Sequence, residues 1–207
     1  MKWAEDLRTK LAGELPGELV HNELMSYTRQ QAEEVRSSGS TFREGGVMML
    51  IYPVEGVLHT ALILRPTYNG VHSGQVAFPG GAREDHDDDL KETALRETEE
   101  EVGVKASQIE VIGELSELFI PPSNFIVKPY VGVLSERPKF VPDDFEVAKI
   151  MEPAVVSFLK KDAVISTSVQ VGKNNSMRVK AFMVDGHIVW GATAMMLSEF
   201  RAIYSKT

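Results

Sequence analysis

Ten aspartates and glutamates stand between Gly80 and Val104, in the stretch GGAREDHDDDLKETALRETEEEVGV, against three lysines and arginines. Carboxylates gathered this densely can ligate a cation, move protons, or simply face water. Their spacing on a helix separates these uses. With Glu97 set at 0° and about 100° per residue, Glu101 falls at about 40° and Glu100 at about −60°. Ala94, Leu95, Thr98 and Val102 occupy the neighbouring arc between about 60° and 160°. Three acids therefore border the face that must be buried, while Glu92 and Glu99 point elsewhere.

Such an arrangement opposes helix stability. Like charges three or four positions apart cost a few tenths of a kcal/mol per pair, and partial burial adds desolvation. Arg96 can neutralise one carboxylate, and a divalent cation could neutralise the rest. All-oxygen ligation points to magnesium or manganese, with calcium a poorer fit. Zinc fits worse, since no histidine stands at ligand spacing from these acids. Pro79-Gly80-Gly81 precedes the helix, and its bare backbone at Gly80 and Gly81 can approach an ion or a phosphate closely. A glycine turn feeding acid ligands suits a diphosphate, because a metal screens phosphate charge and activates water. The residues alone leave two readings open, a solvated acidic face or a site for a hard divalent ion.

The elements that must hold this helix are legible in outline. Asp87, Asp88 and Asp89 favour its positive end, Asp89 with Glu92 resembles a capping box, and Gly103 stands where a left-handed terminator is wanted. Upstream, residues 3–13 predict a short helix, LPGE interrupts it, and 18–36 predict a second. Residues 36–46 have the composition of a loop. Strands are expected at 47–53 and 57–66 around VEG, at 74–81, and at 109–120 and 125–135. A strand end and short helix follow at 145–161, a hairpin at 177–191 turning on Asp185-Gly186, and a closing helix at 192–204. Strand pairs interrupted by helices imply an α/β sandwich with a mixed sheet.

Composition narrows the partners. With 43% hydrophobic and 25% charged residues, the 207-residue chain can build an ordinary core. The net charge of −8 lies largely in the acidic block. There is no basic run to track nucleic-acid phosphates, so nucleic acid is not expected as a partner. No apolar run nears the roughly 18 residues of a membrane span, so no membrane partner is expected. The absence of cysteine excludes disulfides and thiol chemistry. With an N-terminus lacking a signal-peptide pattern, the expected location is cytoplasmic.

The spacing of Gly81, Asp87, Arg96-Glu97, Glu100-Glu101, Gly103 and Val104 resembles the signature of the Nudix hydrolases. Thr98 replaces an aliphatic residue of that signature. Asp87 replaces a glutamate, and eight residues rather than seven separate it from Arg96. The last two departures, together with HSGQVAFPGG (72–81), LPGE, IPPSNF (120–125) and WGATA (190–194), are similar to one subgroup, the coenzyme A diphosphatases. Gly70 stands where that subgroup usually has arginine.

The resemblance implies a Nudix-type α/β/α sandwich with a central mixed sheet. It implies an N-terminal helical segment, 1–36, packed on a hydrolase domain, 37–207. The implied reaction is Mg2+- or Mn2+-dependent cleavage of coenzyme A or its thioesters to 3′,5′-ADP and (acyl-)4′-phosphopantetheine. The alternatives are another nucleoside diphosphate derivative, such as ADP-ribose or a nucleoside triphosphate, or a catalytically silent binding module. Glu97 and Glu101 are the implied metal ligands, with Glu100 beside them and a backbone carbonyl near Gly81. Arg96 is the orienting residue, and Glu97, Glu100 and Glu146 are the candidate bases. Substrate contacts are expected from Arg65, His72 and the Gly80-Gly81 backbone. A homodimer is expected, with the N-terminal helices in its contact.

Overall fold

A computed structural model describes residues 1–24, 30–68, 72–171 and 175–206. The long strand β1 (Arg43–Val54) organises it. Its even-numbered residues Met48, Leu50 and Tyr52 are buried with Ala94 and Val102 of helix α4 (Leu90–Val102), on one side of the sheet. Its odd-numbered Met49 and Ile51 are buried on the other side, with Leu7 and Leu11 of α1 (Lys2–Leu11) and Leu197 and Phe200 of α6 (Gly191–Tyr204). A strand buried on both faces reads as a continuous apolar run, as VMMLIY does. The layering is therefore helix, sheet, helix.

The main sheet has the order β2-β1-β8-β6, comprising β2 (Val57–Thr60), β6 (Glu110–Glu114) and β8 (Phe125–Val133), with β5 (Gly80–Ala82) on β1 and β7 (Leu118–Ile120) on β8. β1 and β8 run parallel and the other pairs antiparallel, so the sheet is mixed. A second sheet joins β4 (Val76–Ala77), β3 (Leu62–Leu64) and β9 (Lys149–Met151). A third is β10 (Val164–Val171), β11 (Asn175–Val184) and β12 (His187–Val189). Helices α2 (Glu18–His21), α3 (Ala32–Ser37) and α5 (Val155–Leu159) complete the chain.

Several elements differ from the sequence expectation. The strand expected over 57–66 divides at Ala61, with β2 paired to β1 and β3 to the second sheet. Composition alone cannot show that one apolar run serves two sheets. Arg43–Gly46, expected as loop, is strand. Its glycines reflect packing, because a Cβ on Gly46 would overlap the Leu90 carbonyl where α4 crosses β1. β10 was not expected at all. The helix expected over 18–36 is two short helices within the described residues, while 25–29 lie outside them, as does Gly70. Both tight turns hold: Glu55-Gly56 and Asp185-Gly186 have positive φ throughout, which suits two-residue hairpins.

No described helix is long and apolar enough to cross a membrane.

Candidate metal and hydrolytic centre

Helix α4 is fixed at both ends. The Asp89 carboxylate accepts the Glu92 N–H at 2.8 Å, and the Glu92 carboxylate accepts the Asp88 N–H, one residue before the expected capping-box partner. At the other end Gly103 adopts φ 72° and donates to the Glu99 carbonyl. Thr98 fits the buried arc, where an aliphatic residue was expected, because its hydroxyl donates to the Ala94 carbonyl four residues back.

On the arc bordering the core, Glu101 is 1% exposed. Its Oε2 accepts the Gly80 N–H at 2.8 Å. Its Oε1 has no hydrogen-bond partner, although Arg65 Nη2 forms an ion pair with it at 3.5 Å. Burial pushes the Glu101 carboxyl up to about 7, against the pull of Arg65 and the Gly80 N–H. Burial also raises Glu97, with Arg96 opposing. Glu97 packs on the Gly81 backbone, where a Cβ would overlap its carboxylate. A side chain at Gly81 would therefore displace the Glu97 carboxylate from this seat.

Arg96 organises the surroundings. It grips Asp87 through Nε and Nη2, both at 2.9 Å, and donates to the Ala82 carbonyl at 3.0 Å. Its Nη1 reaches Glu97 Oε1 at 2.9 Å and Glu100 Oε2 at 3.0 Å. Asp87 is buried and also accepts from Thr93 Oγ1 and the Glu84 N–H. Hydrogen bonding from Arg96 holds its carboxyl far below the usual carboxylate range, despite burial. The aspartate of the signature thus anchors its arginine.

The third acid arrives from far along the chain. After β8, the Val141 and Asp143 N–H groups donate to the Val102 and Glu101 carbonyls, satisfying acceptors that a helix end leaves unpaired. Asp143 Oδ1 then accepts the Phe145 and Glu146 N–H groups at 2.8 and 2.9 Å. One carboxylate oxygen each from Glu97, Glu101 and Glu146 lies within 4.8 Å of the others.

The structure brings Glu97, Glu101, Glu146, Arg96, Arg65, Gly80 and Gly81 into one neighbourhood. Glu100 is not in the close trio. It is exposed and bonded to Arg96, on the solvent flank of the arc. His72 sits 3.1 Å from Gln75 Oε1 instead of at the carboxylates. Arg65 Nη2 is engaged with Gly80 O at 3.2 Å as well as with Glu101. Sequence reasoning missed Asp143, which seats Glu146, and the Gly45-Gly46 pair, which lets α4 lie close to β1. A glycine pair at the head of an apolar run was the available signal for the latter.

The donor set fits a hard cation. It is three convergent carboxylates, one carrying a buried oxygen without a hydrogen bond, which is the chemistry an oxygen-ligated divalent ion requires.

The NUDIX domain pattern matches residues 43–168. The chain is 37% identical over 126 residues to a Yersinia enterocolitica protein named an uncharacterized Nudix hydrolase NudL, covering 61% of this chain and 64% of that one. It is 34% identical over 132 residues to a protein of the same name from Pectobacterium atrosepticum, covering 62% and 66%. The chain thus spans just under two thirds of the length of these relatives. Among solved structures, a MutT/nudix family protein from Enterococcus faecalis aligns at TM-score 0.54 and 16% identity, over 98% of this chain and 74% of that one. The MutT protein of Methanosarcina mazei aligns at 0.53 and 15%, over 81% and 99%. At these identities the likeness concerns the fold, and it agrees with the mixed sheet between helices. With the signature seated on α4 and the domain pattern spanning 43–168, the chain belongs to the Nudix hydrolase family.

Proposed function

We propose that the protein hydrolyses a diphosphate bond, with Mg2+ or Mn2+ held by Glu97, Glu101 and Glu146. The observation that carries this reading is the convergence of those carboxylates, one of which, Glu101, keeps a buried Oε1 without a hydrogen bond. When bound, the ion would screen phosphate charge and lower the pKa of water. The chain's own residues do the rest. Gly80 N–H fixes Glu101, and Arg96 fixes Glu97 through Oε1. Arg65, beside the Gly80 carbonyl, is the cation placed to meet a phosphate oxygen. Among the candidate bases, Glu146 is favoured, through the carboxylate oxygen that would not face the ion, because its side chain is exposed and no ion pair engages it among the described residues. Glu97 and Glu100 are both tied to Arg96. Glu100 then helps to hold the arginine and is a peripheral metal ligand at most.

The substrate class we favour is coenzyme A or its thioesters. Support comes from HSGQVAFPGG, IPPSNF and WGATA. The organisation we propose with it is a 1–36 segment packed on a 37–207 domain, assembled as a homodimer. Incubation with coenzyme A and Mg2+ tests it: 3′,5′-ADP and 4′-phosphopantetheine should form. Turnover of ADP-ribose or nucleoside triphosphates in place of coenzyme A would move the substrate assignment and keep the chemistry. Failure on every diphosphate, despite binding, would favour the silent module.

A further inference from the structure

We propose that Phe145 is the stacking platform for the planar base of the substrate, an inference that rests on the diphosphate reading above. Phe145 is 88% exposed, more than any other large hydrophobic residue described. Phe78, which precedes the glycine turn, is 2% exposed and packed in the core, so it cannot offer a ring face to a ligand. A single exposed apolar side chain needs no explanation by itself. Three further observations separate this one from the background.

First, Phe145 directly precedes Glu146, so its Cα is about 3.8 Å from that of a candidate metal ligand. The exposed ring and the exposed Glu146 are thus presented by neighbouring residues. Second, the backbone under the ring is held. The Phe145 N–H donates to Asp143 Oδ1 at 2.8 Å, and Val147 N–H donates to the Asp143 carbonyl. Asp143 N–H is itself bonded to the Glu101 carbonyl at 3.0 Å. Val147, on the far side, is buried at 5% exposure. A ring mounted on a fixed backbone loses less entropy when a ligand stacks on it than one on a free loop. Third, the charge around it selects the moiety. Asp143 and Asp144 precede Phe145 in the chain, on the side away from the proposed cation ligand Glu146, so a phosphate placed beside them would be repelled. A neutral base is not, and an exocyclic amine can donate to a carboxylate. The aromatic face supplies stacking, and the flanking acids reject the charged end, which directs the phosphates toward Arg65 and the cation site.

Base–aromatic stacking is commonly worth enough for roughly a five- to hundred-fold change in binding. The test compares two substrates with Mg2+: an adenosine diphosphate derivative, and a dialkyl diphosphate that keeps the scissile linkage but lacks a base. In Phe145→Ala, KM for the adenosine substrate should rise about ten-fold with kcat within a factor of two. KM for the dialkyl diphosphate should stay unchanged. Phe145→Trp should restore the adenosine KM. Leu19→Ala, which removes the next most exposed apolar side chain from the N-terminal segment, should alter neither. Equal effects of Phe145→Ala on both substrates, or a fall in kcat without a KM change, would overturn the proposal. If the wild-type protein turns over neither substrate, the hydrolytic reading fails separately. Calorimetric titration with ADP and Mg2+ then decides the stacking role: weaker binding in Phe145→Ala sustains it, and equal binding, or no binding to either protein, ends it.

Discussion

Glu101 and Glu199 are the same residue type, each at most 1% exposed, on opposite sides of the sheet. Their surroundings differ in kind. Glu199, on α6, accepts from Ser116 Oγ at 2.7 Å, from the Ser116 and Gly17 N–H groups, and lies 3.0 Å from His21 Nε2. Burial there acts to raise its carboxyl, but the bonds from His21 and Ser116 outweigh burial and hold it below the ordinary value. Glu101 has one backbone hydrogen bond, a longer ion pair, two acidic neighbours and a carboxyl raised to about 7. One buried acid is satisfied by the chain and joins α2, α6 and the segment between β6 and β7. The other is left needing positive charge. The distinction between building and binding lies in the partners, because burial is equal.

The sharpest way to break the comparison is to neutralise each acid. Glu101→Gln should reduce diphosphate hydrolysis by about a thousand-fold, consistent with several kcal/mol of metal-dependent stabilisation, while the fold persists by circular dichroism. Retained activity in this variant would remove Glu101 from the centre. Glu199→Ala should act in the opposite sense. It leaves His21 buried without its partner, with an expected loss of about 3–4 kcal/mol in guanidinium unfolding and little change in kcat of the folded fraction. A large drop in kcat with unchanged stability would erase the contrast.

The pH dependence of the metal-free protein sharpens it further. A carboxyl raised from 4.5 to about 7 makes the folded state bind more protons between those values. Its contribution to stability therefore falls as pH rises through that window, by about 3 kcal/mol. Glu97 shifts in the same direction. Glu199 and Asp87, both lowered, contribute stability that is present above the ordinary carboxylate range and lost only as pH falls below it. Metal-free protein should thus unfold more readily at pH 8 than at pH 5.5, and millimolar Mg2+ at pH 8 should recover most of the difference. Glu101→Gln should flatten the slope and Glu199→Ala should keep it. The smallest effect is expected from Thr93→Val, which removes one donor to Asp87 and should cost roughly 1.5 kcal/mol. A neutral result would mean that Arg96 and the Glu84 N–H suffice to set the position of Asp87.

What the sequence revealed follows the range of the interactions. The ends of α4, the two hairpin turns and the continuous apolar run of β1 depend on neighbours a few positions apart, and all could be read. The arc that placed Glu97 and Glu101 beside the core was also correct in geometry, though Glu100 lies at its solvent edge and bonds Arg96. Glu146 carries no local sign of its role. Its seat depends on Asp143 bonding a helix terminus more than forty residues earlier. Glu199 reads as a surface residue of the last helix, because its partners come from Gly17, His21 and Ser116. The division of 57–66 at Ala61 likewise depends on β9, which joins β3 from a distant part of the chain.

The segment from Val141 to Val147 hangs from the terminal carbonyls of the helix that bears the other two acids. The three oxygens therefore share one mount. Any displacement of the sheet that leaves those two backbone bonds intact would carry the three backbones together, as the jaws of a fixed-width gauge move together. Selectivity among ions by radius would then be set by about ten residues of local backbone, leaving the remainder of the domain open to change in sequence.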